Sequence, residues 1–211
     1  MGSARLPGIG DRNVLLVDGP AEAIEFQAMR WYDDTYDKSY QGLMGVLEIP
    51  NSHLLLISVQ RDSHPVLYDP ARKAVVRKVA LAERAGNPSA SFRRDAAELW
   101  VVDYDTLVRI DTSSWAVGAS LRVEGADAHG VERFVGTLGF DATEGLCVIA
   151  RPYSGDAIAV DTLRFKRTHV ARLGGEPLDA AVISGRLVVA RDWHTGLLRQ
   201  AELRPLWPTP R

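Results

Sequence analysis

Between residues 98 and 123 the chain reads ELWVVDYDTLVRIDTSSWAVGASLRV, and apolar and polar positions there fall into three short bouts. Leu99 to Val102 is an unbroken apolar run. Leu107, Val108 and Ile110 surround Arg109, and Val117, Ala119, Leu121 and Val123 alternate with polar or small residues. A period of two marks a strand with one buried face, because successive side chains point to opposite sides of a sheet. Asp103-Tyr104-Asp105 and Asp111-Thr112-Ser113-Ser114 between the bouts are turn chemistry. The same patterning predicts strands at 14–18, 24–31, 42–49, 54–59, 66–69, 75–81, 89–93, 134–140, 146–150, 157–161, 168–173, 178–183, 187–190 and 197–203. No segment holds a helical period. Residues 71–85 suit a helix by propensity, but the β-branched Val75, Val76 and Val79 favour a strand.

The strands recur as a unit. Aligning the third strand of each unit brings Asp18, Asp69, Asp111, Asp161 and Glu202 into register at spacings of 41 to 51 residues. An aspartate at a strand end accepts backbone N–H groups and starts a tight turn, which is a structural role. Several short strands per period in the forties indicate a propeller. The expected fold is therefore all-β: a small β-propeller of four to five blades built from four-stranded antiparallel repeats. The first unit begins at its third strand, so the N-terminal strands are expected to close the ring with the C-terminal repeat. This gives a flexible arm at 1–12, the propeller at 13–204, and a tail or last edge strand at 205–211. A β-sandwich is the alternative arrangement.

Gly174-Gly175-Glu176-Pro177-Leu178-Asp179 leading to Leu187-Val188-Val189-Ala190, and Ile158-Ala159-Val160-Asp161-Thr162 leading to Thr168-His169-Val170-Ala171, resemble the YVTN-type β-propeller repeat. Asp111-Thr112 and Asp161-Thr162 match its strand-three ending, whereas Asp69-Pro70 and Asp18-Gly19 depart from it. The resemblance spans about residues 14–203 and implies a fold. It implies little about function, since such repeats, like the related WD-like ones, serve lactonases, lyases, electron-transfer subunits and binding scaffolds.

Net charge changes the picture only by exclusion. The 211 residues sum to −2, which speaks against a nucleic-acid surface. No apolar run approaches the roughly 18 residues of a membrane span. The opening MGSARLPGIGD lacks an apolar core, so the sequence as it stands reads as cytoplasmic; a leader ahead of it would make the protein periplasmic or secreted. Cys147 lies in an apolar strand and is expected to be a buried thiol.

Candidate chemistry collects on one face. In a propeller the loops after strand two and after strand four open together, and loops carry function on a rigid scaffold. Those loops hold Arg61, Asp62, His64, Asp103, Tyr104, Arg151, Tyr153, Arg191, Asp192, Trp193 and His194, together with the aromatic and acidic stretch around Trp31, Tyr32, Asp34 and Tyr36. Arg-Asp-x-His occurs twice, at 61–64 and 191–194. It suggests either a ring of cations for an anion or Arg–Asp pairs holding neighbouring blades together. His64, His129 and His194 are the weak candidates for a divalent metal; no short ligand spacing supports them, and no other cofactor is expected. Trp100 is expected in the core, Trp115 at the outer rim, and Trp193 on the ligand face.

The expected function is a non-catalytic binding or scaffold module for a protein or small ligand, with homo-oligomerisation open. The alternatives are a metal-dependent hydrolytic enzyme of the lactonase or lyase type on the same face, and a propeller subunit completed by or docked onto another chain.

Overall fold

A computed structural model describes residues 14–16, 23–25, 43–59, 65–79, 81, 89–94, 96–125, 133–183 and 186–206. Strands β1 (Val14–Leu16) and β2 (Ala23–Glu25) form a hairpin. The first large sheet holds β3 (Leu43–Glu48), β4 (Leu55–Val59), β5 (Val66–Asp69) and β6 (Ala74–Lys78). The second holds β7 (Ser89–Arg93), β8 (Glu98–Asp103), β9 (Thr106–Asp111) and β10 (Ala116–Arg122). The third holds β11 (Leu138–Phe140), β12 (Leu146–Arg151), β13 (Asp156–Asp161) and β14 (Lys166–Arg172). The fourth holds β15 (Pro177–Ile183), β16 (Leu187–Asp192) and β17 (Leu198–Glu202). A last short strand, β18 (Arg204–Pro205), returns to the third sheet and pairs with β14. Each sheet is an antiparallel meander in chain order, the arrangement that the repeat predicts.

The sheets pack face on face in sequence order. Leu99 and Val101 of β8 join Leu56 and Leu67 of the first sheet, while Trp100 and Val102, on the opposite side of the same strand, join Cys147, Ile149, Ile158 and Val160 of the third. Val148 and Ala150 of β12 turn the other way, toward Ala180, Val188 and Ala190 of the fourth sheet. Strands buried on both faces need apolar residues at every position, which is why 99–102 and 146–150 are runs rather than alternations. Trp100 is fully buried and meets Phe140 and Phe165 edge to face at centroid distances of 5.5 and 5.2 Å. Trp115 lies in the β9–β10 turn against the core shared by the first and second sheets. Cys147 is buried, and burial pushes its thiol well above the ordinary range.

The acids at the ends of third strands work as turn formers. Asp69 Oδ1 accepts the N–H groups of Ala71 and Arg72, Asp111 Oδ1 that of Ser114, and Asp161 Oδ1 those of Leu163 and Arg164. Four residues after each acid the backbone turns left-handed, at Lys73, Trp115 and Phe165 (φ 51°, 57° and 52°). The Ser113 hydroxyl, followed by the N–H and hydroxyl of Ser114, holds the Asp111 carboxyl at about 2, below its ordinary 3.8. Asp69 is lowered too, chiefly by the Arg72 N–H. A carboxyl depressed in the folded state stabilises it fully above the unfolded value and loses that contribution as pH falls through the folded value. Stability is therefore expected to hold down to about pH 4 and to fall between there and about pH 2, with a shallower fall in Asp111→Asn. Urea titrations across that range check this; a flat profile would contradict it.

One expectation needs correction. The strand predicted at 134–140 pairs only over Leu138–Phe140. Upstream, Gly136 N–H donates to Ala150 O and Thr137 N–H to Leu178 O, so the chain there bridges the third and fourth sheets instead of extending one ladder. Among the described residues β1 pairs with β2, and β17 with β16.

Candidate functional site

Among the described residues, the turns after β12 and β16 come together with the connectors that lead into the third and fourth sheets. The β8–β9 hairpin has a two-residue turn at 104–105, with Tyr104 left-handed at φ 57°, and its carbonyl accepts the Val135 N–H from the connector ahead of the third sheet. In the third sheet a single 3₁₀ turn, Pro152–Ser154, joins β12 to β13 and closes on Gly155 at φ 66°. In the fourth, Asp192 organises residues 193–196. It accepts the N–H and hydroxyl of Thr195, the Glu176 N–H and the Arg199 Nε, and these bonds, the Thr195 N–H first, hold its carboxyl far below the ordinary range.

These turns present an aromatic cluster. Phe134 meets Tyr153 edge to face at 5.1 Å and Trp193 edge to face at 5.3 Å. Trp193 stacks on His194 at 5.4 Å with 11° between planes. The Arg133 guanidinium lies 5.7 Å from the centre of the Tyr153 ring. His194 Nε2 is 2.9 Å from Glu176 Oε2, and the Trp193 N–H donates to Glu176 O. Tyr153 and Trp193 remain 49% and 43% exposed, large values for rings with neighbours on their edges. Burial, then the nearby Tyr104 and Glu176, pushes the Tyr153 phenol up, so it stays a neutral donor at physiological pH.

Other candidates fall outside this cluster. Arg151 points inward: its Nε and Nη2 donate to Asp156 at 2.8 and 2.9 Å, and its Nη1 reaches Val123 O at 3.3 Å. Arg191 pairs with Asp179, and Arg199 with Asp192. One of the two readings of the motif has Arg–Asp pairs tie neighbouring blades; these pairs instead close within the fourth sheet, where the registers set Arg191 opposite Asp179 and Arg199 opposite Ala190, two residues before Asp192. In the 191–194 copy of the Arg-Asp-x-His motif, Arg191 and Asp192 are thus committed to internal partners rather than to an anion. Asp103 ends β8 opposite Thr106. Trp31, Tyr32, Asp34, Tyr36, Arg61, Asp62, His64 and His129 lie outside the described residues.

Phe134, Arg133 and Glu176 complete the cluster, and sequence reasoning did not single them out as site residues. Glu176 was within reach, since it sits in a connector assigned to this face. Among the described residues no group of three His, Cys, Asp or Glu side chains could hold a metal ion, and no helix is long and apolar enough to cross a membrane. What the cluster offers is ring faces, ring edges and a charged rim, a surface for stacking and apolar contact.

No protein-family model and no curated protein matches the sequence. Solved structures do. Kuenenia stuttgartiensis hydrazine synthase superposes with a TM-score of 0.62 at 16% identity, over 86% of this chain and 52% of that one. The Myceliophteria thermophila Cps50 (Swd1) β-propeller domain superposes with a TM-score of 0.66 at 10% identity, over 92% of this chain and 65% of that one. This chain thus spans about half to two thirds of the length of these neighbours. Four antiparallel sheets stacked in chain order, and this likeness, show that the chain has a β-propeller fold.

Proposed function

We propose that the chain is a non-catalytic binding module that engages a protein partner through the face carrying Phe134, Tyr153 and Trp193. The observation behind this is the aromatic cluster itself. Two loops of different sheets and one connector bring three aromatic rings together, and two of them stay half exposed. Rigid aromatics with a charged rim are what interface hot spots are made of, since they bury much area at little cost in side-chain entropy.

A second reading, docking of the propeller onto another chain through its last sheet, has its own observation. The registers put Ala181, Ile183, Leu187, Val189 and Leu198 on the face of the fourth sheet that is turned away from the third. Ile183 and Leu198 there are 50% and 75% exposed.

One experiment separates the two. A photo-cross-linking amino acid is placed at position 153, 183 or 113 and irradiated in the host cell, Ser113 being an exposed turn residue at the opposite end of the strands. Adducts are expected from position 153 and not from 113, and Trp193→Ala in the same chain is expected to cut their yield by about tenfold or more, as for a hot-spot residue. Adducts from 183 alone would move the partner to the fourth sheet. A yield at 153 indifferent to Trp193→Ala would refute the aromatic face.

A further inference from the structure

Between β10 of the second sheet and strands β12, β13 and β14 of the third lies a groove of about 400 Å³, lined by Leu121, Arg151, Ile158, Lys166, Arg167 and Leu206. The floor is apolar. Leu121 and Leu206 pack beside the core that contains Ile158. Leu206 is held in place by its N–H bond to Thr168 O, so β18 and the residue after it form one wall.

The rim is cationic, and its charges are not equivalent. Arg151 is spent on Asp156, and Glu124 lies 3.9 Å from its Nη1. Arg172, on the same face of β14, shares Asp156. That leaves Lys166 and Arg167, both exposed, with no ion pair to any described residue. Register sets Arg167 opposite Val160, on the side of β14 that looks toward the second sheet. Arg204, opposite Val170, adds a further exposed cation on that side. Lys166, which the register sets opposite Asp161, and Arg167 thus stand beside an aliphatic floor with no ion pair to a described residue.

We propose that this groove is a second binding site, separate from the aromatic face, and that its occupant is an extended acidic peptide segment carrying an aliphatic side chain. The carboxylates answer Lys166 and Arg167, and the aliphatic group fills the floor. A bare polyanion would leave the partly exposed Leu121 and Leu206 facing water. A purely apolar ligand would desolvate two cations without replacing their hydration.

The test uses fluorescence anisotropy on the whole chain with a labelled hexapeptide of alternating glutamate and leucine. Saturable one-to-one binding is expected. The double charge reversal Lys166→Glu/Arg167→Glu is expected to weaken it by at least about tenfold, raising salt from 50 to 200 mM to weaken it further, and Tyr153→Ala to leave it unchanged. Because Lys166 and Arg167 are exposed, the double variant should unfold at the wild-type urea midpoint, which is measured alongside. The glutamate–serine hexapeptide is expected to bind about tenfold more weakly, reporting the floor. Equal affinity for the serine peptide would make the groove a general polyanion site and overturn the proposal. So would undiminished binding to the double variant, or no saturable binding at all.

Discussion

Replacing Asp156 by alanine is expected to lower the free energy of unfolding by about 3–5 kcal/mol. Asp156 opens β13 and is fully buried. Both its oxygens are used, Oδ1 by Arg151 Nε and Oδ2 by Arg151 Nη2 and Arg172 Nη1 at 2.8, 2.9 and 3.0 Å. The fork-on-fork pairing with Arg151 is the stronger part, because a guanidinium matches a carboxylate in two parallel bonds. Removing the carboxylate leaves Arg151, whose side chain is only 14% exposed, without its bidentate partner and with Glu124, 3.9 Å away, as the remaining acid. The cost then is a buried charge stripped of its hydrogen-bonded counter-ion, which exceeds the value of the pair itself. A typical domain has only about 5–15 kcal/mol to lose, so the variant should unfold at markedly lower urea concentration. Arg172 is a built-in control. Its side chain is 76% exposed, and Arg172→Ala should cost no more than about 1 kcal/mol although it bonds the same carboxylate. Urea unfolding at pH 7 measures all three chains. A loss below about 1 kcal/mol for Asp156→Ala would mean that Arg151 escapes to water, and the inward pairing would have to be abandoned.

The Arg151–Asp156 pair also marks where sequence reasoning reached and where it stopped. The turn acids were legible because their chemistry is local: Asp69, Asp111 and Asp161 bond to N–H groups two or three residues on. Trp100 and Cys147 were legible because an unbroken apolar run can only be buried. Arg151 was read as a ligand-face residue because it stands at a loop position after a second strand. Its real partner lies across a hairpin, and a register that pairs 151 with 156 had to be known before the two could be joined. Arg191 and Asp179 repeat the lesson over twelve residues. Trp193 and Tyr153 were found because loop aromatics on a propeller face are few. Phe134 was not, because its place depends on a bridge between two sheets, built by Gly136 and Thr137, that no strand pattern contains.

That bridge carries the other large effect. Gly136→Ala is expected to destabilise the protein by about 2–3 kcal/mol, the range of an overpacked core. A Cβ at this position would lie 2.0 Å from Leu178 O, 2.8 Å from Leu178 C and 3.1 Å from Ala150 Cβ. The first two neighbours are backbone, so no side-chain rotation can relieve them. Strain in φ is not involved, since Gly136 is not left-handed; the demand is for space alone. To admit the methyl group, β15 must move away from β12, and Thr137 N–H would lose its bond to Leu178 O. The displacement also reaches the surface. Phe134 is two residues upstream and touches Trp193, which belongs to the sheet being pushed away. Gly136→Ala should therefore lose near-ultraviolet aromatic circular dichroism and cross-linking from position 153, even at temperatures where the variant is folded. Gly139→Ala separates these effects from glycine replacement as such. A Cβ there would meet Ala180 O at 3.6 Å, an ordinary contact, and that variant should stay within about 1 kcal/mol of wild type with its aromatic signal intact. Were the two alanines to behave alike, the third and fourth sheets could not be joined as tightly as the Gly136 contact requires. Phe134, Tyr153 and Trp193 would then have no fixed mutual geometry.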